Sequence, residues 1–400
     1  MSGAAQSPFV DIARGLAPQI EAAAEEAERE RHLRTPLIDA FAQAGLFRLW
    51  IPRALGGEEV EPETFVRVVE EISRIDGAAG WCVMIGGCYG AFGGYLSSPA
   101  AREIYGADPR VITGGAFRPF GRAVVVDGGY RVTGRWPLGS GCQHCAWMVG
   151  GCQILDGETP RLAANGVPVT RLLFFPAASC EIIDTWYASG LRGTGSHDYA
   201  VADLLVPAEH SLSFREPPVE TGPLYAIPTI GLFALAIAAV ALGIARHAID
   251  ILTELARTKI ASRSRQVLNQ NAMTQADLGR AEGLLRSGHA FLYETLDDAW
   301  RTAVAGERFG IPQRALMWLA ATQATTAAAQ AADLMFTAGG SASVYSRAGL
   351  DKCVRDIRAV GQHVVVAPGN YEMAGQALLG MDMRATLLLA LDDRDAARRV

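Results

Sequence analysis

Apolar residues recur at helical spacing over the first fifty or so positions: Phe9, Ile12, Leu16 and Ile20, then Leu37, Ile38, Phe41, Leu46 and Phe47. Charge fills the gap between the two groups, in EAAAEEAERERHLR. IPRALGGEEV reads as a turn-rich break. PETFVRVVEEISRIDGAAGWCVMIGGCYGAFGGYL then resumes the helical period and becomes rich in small residues beyond Gly77. That density of Gly and Ala implies close helix packing or the close approach of a ligand. SSPAAREIY, with Pro99 just inside Ser98, predicts a short capped helix.

Near residue 110 the period changes from that of a helix to that of a strand. RAVVVDGGYRVTGRW alternates on both sides of an Asp-Gly-Gly turn and predicts a hairpin. CAWMVGGCQIL, TRLLFFPAASCEIIDTWYASG and DYAVADLLVPAEHSL are further short strand runs, giving about seven strands over residues 112 to 215. From Leu224 the helical period returns in four long segments, 225–262, 272–304, 312–338 and 347–380. The third opens on Pro312 and ends on Gly339 and Gly340. The order predicts an α+β chain: an N-terminal helical domain (1–111), a central β domain (112–217) and a C-terminal helical bundle (218–400).

Composition narrows the classes. Among 400 residues, 50% are hydrophobic and 20% charged, enough apolar surface for two or three packed units. A net charge of −6 gives no footprint for nucleic acid or an anionic membrane. Seven cysteines, with no basic-then-apolar leader, read as reduced thiols in a cytoplasmic protein. Thr221–Ala245 carries no charge and is long enough to span a bilayer. Pro223, Pro228 and the unbroken amphipathic continuation through Arg246, His247, Asp250 and Glu254 favour a buried bundle helix instead.

Candidate chemistry is sparse. GGSASVYSRAG lacks the lysine and the leading strand of a phosphate loop. Cys142, His144, Cys145 and Cys152 do not have zinc spacing, and strand alternation would send Cys142 and Cys145 to opposite faces, so no metal is expected. Ser196, His197 and Asp198 are consecutive and cannot form a triad within a strand. Trp81, Tyr89, Phe92, Phe117 and Phe120 are candidates for an apolar substrate pocket, the alternative being ordinary core. His363 follows Gly361 and precedes a β-branched run, a place for a cap, a core histidine or a catalytic base.

Four stretches carry a family resemblance: DGGYRVTGRWPLGSGCQHCAW, DTWYASGLRGTGSHDYAVADLLVP, FTAGGSASVYSRAGLDKCVRDIRA, and the spacing of Gly pair to Arg355-Asp356 within the last. Together they resemble the acyl-CoA dehydrogenase fold over nearly the whole chain, with an N-terminal helical domain, a central β-barrel-like domain and a C-terminal four-helix bundle. GLRGTGS and the histidine after Arg355-Asp356 are more similar to one branch, the flavin-dependent monooxygenases of two-component systems that hydroxylate 4-hydroxyphenylacetate or steroid-derived phenols. The resemblance implies reduced FMN or FAD delivered by a separate flavin reductase, O2 as co-substrate, a small aromatic substrate and a homotetramer.

It also implies residue roles. Ser140 falls where a hydroxyl faces flavin N5, with Trp136 beside the cofactor and Ser196-His197-Asp198 in a turn near it. Gly339 and Gly340 fall near the flavin's phosphate or adenosine end, and Arg263, or Arg265, at its phosphate. Beside these, Trp81, Tyr89, Phe117 and Phe120 stay the candidates for the substrate pocket read from the residues themselves. His363 stands where the dehydrogenases carry a glutamate base. No carboxylate occurs from residue 357 to 371, and Glu372 lies too far along. An imidazole titrating near neutrality suits activation of a phenol better than removal of a thioester α-proton. His363 and Ser140 are therefore the expected catalytic residues. One departure stands out: Cys88 and Tyr89 occupy the region where relatives often carry a second histidine or polar residue. An acyl-CoA dehydrogenase or related desaturase, and a non-catalytic member of the fold, are the alternative readings.

Overall fold

The computed structural model describes residues 7–260, 266–381 and 383. Six helices precede the sheet: α1 (Pro8–Gly15), α2 (Ala17–Glu30), α3 (Thr35–Gln43), α4 (Pro62–Ile75), α5 (Gly77–Gly90) and the single turn α6 (Ser98–Ala101). In α4 the period-3.6 stripe of Phe65, Val66, Val69 and Ile72 is fully buried, as an amphipathic surface helix requires. In α5 the small residues allow burial on every side; all but Ile85 of its residues are buried. Asp76 caps this helix, its carboxylate accepting from Ala79 N at 2.8 Å. α6 has no side-chain cap, contrary to the expectation from Ser98.

The strands are β1 (Thr113–Val126), β2 (Gly129–Gly139), β3 (Trp147–Asp156), β4 (Thr159–Pro160), β5 (Thr170–Pro176), β6 (Glu181–Ile183), β7 (His197–Pro207) and β8 (Ser211–Leu212). They form one sheet in the order β6-β7-β2-β1-β3-β5-β8, with β4 on β3. Its path runs from β6 to β8 and the sheet is mixed, with β1 and β3 parallel, the central β domain that the resemblance implied. Val126 pairs with Gly129 across the hairpin that Asp127 and Gly128 were expected to make. The β1–β3 register jumps between Ala116 and Gly121, so Phe117–Phe120 bulge out of the ladder. Gly151 lies against this bulge: a Cβ there would meet the Phe117 carbonyl oxygen at 2.2 Å.

The C-terminal helices are α7 (Pro223–Ala226), α8 (Thr229–Thr258), α9 (Ala272–Val304), α10 (Ile311–Gly339), α11 (Leu350–Val360) and α12 (Asn370–Leu378). α8 is long and apolar enough to cross a membrane, yet 94% of its most apolar window is buried within the molecule, chiefly against α4, α5, α10 and α11. The segment expected to be one helix over 347–380 is two. α11 ends at Val360 and a short turn over Val364–Val366 precedes α12. Gly361 and Pro368 each weaken helix continuation, and Asn370 Nδ2 holds the turn by donating to Val364 O at 3.2 Å. His363 sits in this break.

Buried carboxylates lock the three layers together. Lys352 on α11 reaches Asp76 at 2.8 Å and Asp356 at 2.6 Å. Asp356 also accepts from Leu191 N in the β domain at 2.5 Å. Arg355 binds Glu28 of α2 at 2.7 Å and Ser189 O at 2.5 Å. Gly190 permits this approach, since a Cβ there would stand 2.0 Å from Arg355 O. The Arg355-Asp356 pair is thus a clamp between domains.

Candidate active site

The site forms where α5, the end of β2 and the α11–α12 break converge. Beyond Trp136, β2 leaves its strand through Leu138, at φ 63°, and delivers Ser140 into a turn. Ser140 Oγ accepts from Trp81 Nε1 at 2.9 Å and contacts Ser196 Oγ at 2.7 Å. Ser196 Oγ is 2.6 Å from Thr194 Oγ1, which donates to Leu191 O at 2.8 Å. On its other side Trp81 meets His363 edge-on, ring centroids 5.9 Å apart. One indole therefore joins the two residues expected to be catalytic, from two different domains.

His363 is partly buried, and burial pulls its pKa down to about 4. It is neutral at pH 7. Its Nδ1 accepts from Val365 N at 3.4 Å, which assigns the ring proton to Nε2. Nε2–H has no partner among the described residues. This corrects the expectation of an imidazole titrating near neutrality. The group is a weak base and a ready hydrogen-bond donor, suited to holding an oxyanion.

A narrow cavity adjoins these groups, lined in part by Cys82, Ile85, Gly86, Ser140, His144 and Cys145. Trp81, Ile85 and Tyr89 fall at four-residue intervals, on one stripe of α5 about 12 Å long. At the far end of the stripe Tyr89 packs on Phe92 and Phe117, with ring centroids 4.8 and 5.3 Å away. Phe117 thus reaches the α5 stripe from the bulge. Phe120 does not: it is 48% exposed, with the Arg118 guanidinium over its ring.

Other expectations shift. Trp136 is fully buried in the core of the sheet, stacked on Tyr199 at 5.3 Å and donating to Gly151 O at 2.7 Å, so it supports the strand that carries Ser140 and does not line the cavity. Gly339 and Gly340 close α10 and do not line the cavity beside Ser140. Gly340 N–H is bonded to Thr337 O, and among the described residues the Lys259 ammonium donates to Gly339 O. Arg263 and Arg265 lie outside the described residues. Cys142 sits in a turn and Cys145 just after it, neither in a strand. Burial raises the thiols of Cys82, Cys142 and Cys145, so all three stay protonated.

Ser196, expected in a turn near the cofactor, does reach Ser140; His144 and Thr194 are the parts of the site that sequence reasoning missed. His144 Nε2 is buried without a hydrogen-bond partner, and burial together with nearby His32 pushes its pKa down to about 4. Its place four residues after Ser140 was the available signal. Among the carboxylates nearest in sequence to His363, Asp356 is tied to Lys352, and Glu372 is exposed and bonded to Gln376. Neither is offered to the site as a base.

These residues fit a flavin. Ser140 keeps an unfilled lone pair, His144, whose buried Nε2 is unpartnered, lines the same cavity, and Trp81 links Ser140 to the ring of His363. Reduced flavin would supply the electrons for oxygen activation. Ser140→Ala should leave folding intact but increase the share of O2 released as hydrogen peroxide several-fold, since a buried acceptor beside the cofactor is lost. Unchanged peroxide release and flavin affinity would reduce Ser140 to a turn residue.

Comparison with known proteins agrees with this geometry. Residues 6–96 match the acyl-CoA dehydrogenase N-terminal domain and residues 235–368 the acyl-CoA dehydrogenase C-terminal domain. The chain is 32% identical over 358 residues to an indole-3-acetate monooxygenase of Pseudomonas putida, covering 89% of each. It is 29% identical over 385 residues to the oxygenase subunit HsaA of a flavin-dependent monooxygenase from Rhodococcus jostii, covering 93% of this chain and 98% of that one. Among solved structures it superposes on XiaF from Streptomyces sp. in complex with FADH2 and glycerol, with TM-score 0.88 and 25% identity, over 94% of this chain and 96% of that one. The chain belongs to the flavin-dependent monooxygenases of acyl-CoA dehydrogenase fold, and it is an oxygenase component of the two-component kind.

Proposed function

We propose that this oxygenase takes reduced FAD from a separate reductase and hydroxylates a small indole- or phenol-class substrate held along the Trp81–Ile85–Tyr89 stripe. The observation that carries the reading is the indole of Trp81, bonded to Ser140 and edge-on to His363. It defines one place where an acceptor, a neutral imidazole donor and an apolar stripe meet. The FADH2 bound to XiaF and the indole-3-acetate monooxygenase relatives support the choice of cofactor and substrate class.

In this scheme Ser140 holds the flavin edge through its free lone pair. Trp81 fixes Ser140 and covers the site from α5. His363 Nε2–H donates to the oxyanion that develops on substrate or oxygen. The aromatic residues at the Phe117 bulge exclude water and orient the substrate ring. A homotetramer in the cytoplasm belongs to the same reading. Sedimentation showing only monomer at micromolar concentration would remove that part.

The test uses the purified chain, chemically reduced FAD or FMN, and 18O2, with indole-3-acetate, indole and simple phenols as substrates. The expected result is one 18O atom in the product, with FAD the better cofactor. Release of all the oxygen as hydrogen peroxide, with every substrate recovered unlabelled, would reject the substrate class.

Neutral His363 also predicts the pH response. Its folded pKa, near 4, lies below the ordinary value for histidine of about 6.5. Product formed per O2 consumed should therefore be flat between about pH 6 and 8. An inflection near 6.5 that disappears in His363→Gln would show that the imidazole titrates in the working range.

A further inference from the structure

The hydroxyl chain behind Ser140 has a direction. Each serine or threonine hydroxyl has one hydrogen to donate. Thr194 gives its hydrogen to Leu191 O at 2.8 Å. The 2.6 Å contact between Thr194 and Ser196 must then be filled by the hydrogen of Ser196. The 2.7 Å contact between Ser196 and Ser140 must in turn be filled by the hydrogen of Ser140. Trp81 Nε1 is a donor only, and it gives to Ser140 at 2.9 Å. Thr194, Ser196 and Ser140 are all buried, so water does not relax this order. Ser140 Oγ has used its hydrogen, has received one, and keeps a single lone pair.

A group that faces Ser140 must therefore donate. Reduced flavin carries a hydrogen on N5; oxidised flavin carries a lone pair there. The same serine attracts the first and repels the second. We infer that Thr194 and Ser196 are positioning residues that lock Ser140 as a hydrogen-bond acceptor, so that the oxygenase prefers reduced to oxidised flavin. The inference rests on the reading of Ser140 as the flavin-facing hydroxyl. It accounts for uptake of flavin in one redox state and release in the other without movement of the backbone. Leu191 anchors the chain through both of its backbone groups, since its N–H is held by Asp356 while its carbonyl holds Thr194.

The test is the ratio of dissociation constants for oxidised and reduced FAD, measured anaerobically without substrate. In Ser196→Ala, Ser140 loses its acceptor and its hydrogen is free to turn toward the ligand. In Thr194→Val, Ser196 is free to donate to Ser140 instead, with the same consequence. Each should lower the preference for reduced flavin about tenfold. For a two-electron couple that corresponds to a fall of about 30 mV in the potential of the bound flavin. Thr194→Ser restores the hydroxyl and should restore the ratio.

Ser140→Ala separates the two levels of the argument. If it lowers the preference while folded Ser196→Ala and Thr194→Val keep the wild-type ratio, Ser140 faces the flavin and the polarity inference is wrong. If Ser140→Ala also leaves the ratio unchanged, the reading of Ser140 falls and the inference with it. A ratio lost in Thr194→Val and not restored in Thr194→Ser would show a packing effect and overturn the inference.

Discussion

Replacing His363 by alanine is expected to lower product formation by roughly two to four orders of magnitude, the usual worth of acid–base and donor assistance. Flavin binding and folding should survive. The imidazole caps a three-residue turn through one long bond to Val365 N, and Asn370 holds the same turn independently through Val364 O. Oxygen uptake should continue while product falls, so that most of the oxygen appears as hydrogen peroxide. The informative readout is product per O2 consumed, beside flavin affinity. His363→Gln keeps a neutral donor and should retain part of the coupling. An alanine variant that works at full speed would return His363 to the role of a turn cap.

The second large effect concerns Lys352, which no catalytic step requires. Its ammonium sits between Asp76 and Asp356, both almost fully buried. Burial alone would lower its pKa, but the two carboxylates outweigh this and hold it well above the ordinary lysine value. Lys352→Met leaves two buried carboxylates without a counter-charge and should cost about 3–5 kcal/mol of stability. The deficit should shrink as pH falls from about 8 toward 5, because one carboxyl can then be buried neutral and its raised pKa favours folding at low pH. Urea unfolding at fixed protein concentration measures both. A loss below about 1 kcal/mol would mean that the clamp is solvated and contributes little.

Much of this fold was legible because its period is strong. The stripe of α4, the Asp127-Gly128 hairpin and the Pro312-to-Gly339 limits of α10 all follow from local rules. α8 was read as buried because two prolines precede it and an amphipathic half follows it. The break at Gly361–Gly369 was not legible: two glycines and one proline compete with a continuing apolar pattern, and the deciding bond comes from Asn370. The bulge at Phe117–Phe120 carried a hint in Pro119, which a ladder does not favour.

The site was legible in its endpoints and not in its wiring. Ser140 and His363 came from family resemblance. Their meeting depends on Trp81, which the sequence offered only as one aromatic among several. Thr194 and Ser196 lie far from Ser140 along the chain, and hydrogen-bond partners at such range have no period to betray them. Trp136 was assigned to the cofactor by resemblance, although strand alternation beside Arg135 is compatible with the inward position it takes. The Lys352–Asp76 pair joins residues far apart along the chain and leaves no local trace.

The central claim is that Trp81, Ser140 and His363 surround the reactive edge of reduced flavin. A crystal structure of the chain soaked anaerobically with reduced FAD measures this directly. The account predicts flavin N5 at about 3 Å from Ser140 Oγ, with His363 Nε2 and the α5 stripe on the open face of the ring. A flavin ring seated elsewhere, with N5 beyond hydrogen-bond reach of Ser140 and His363 facing away from it, would contradict the account.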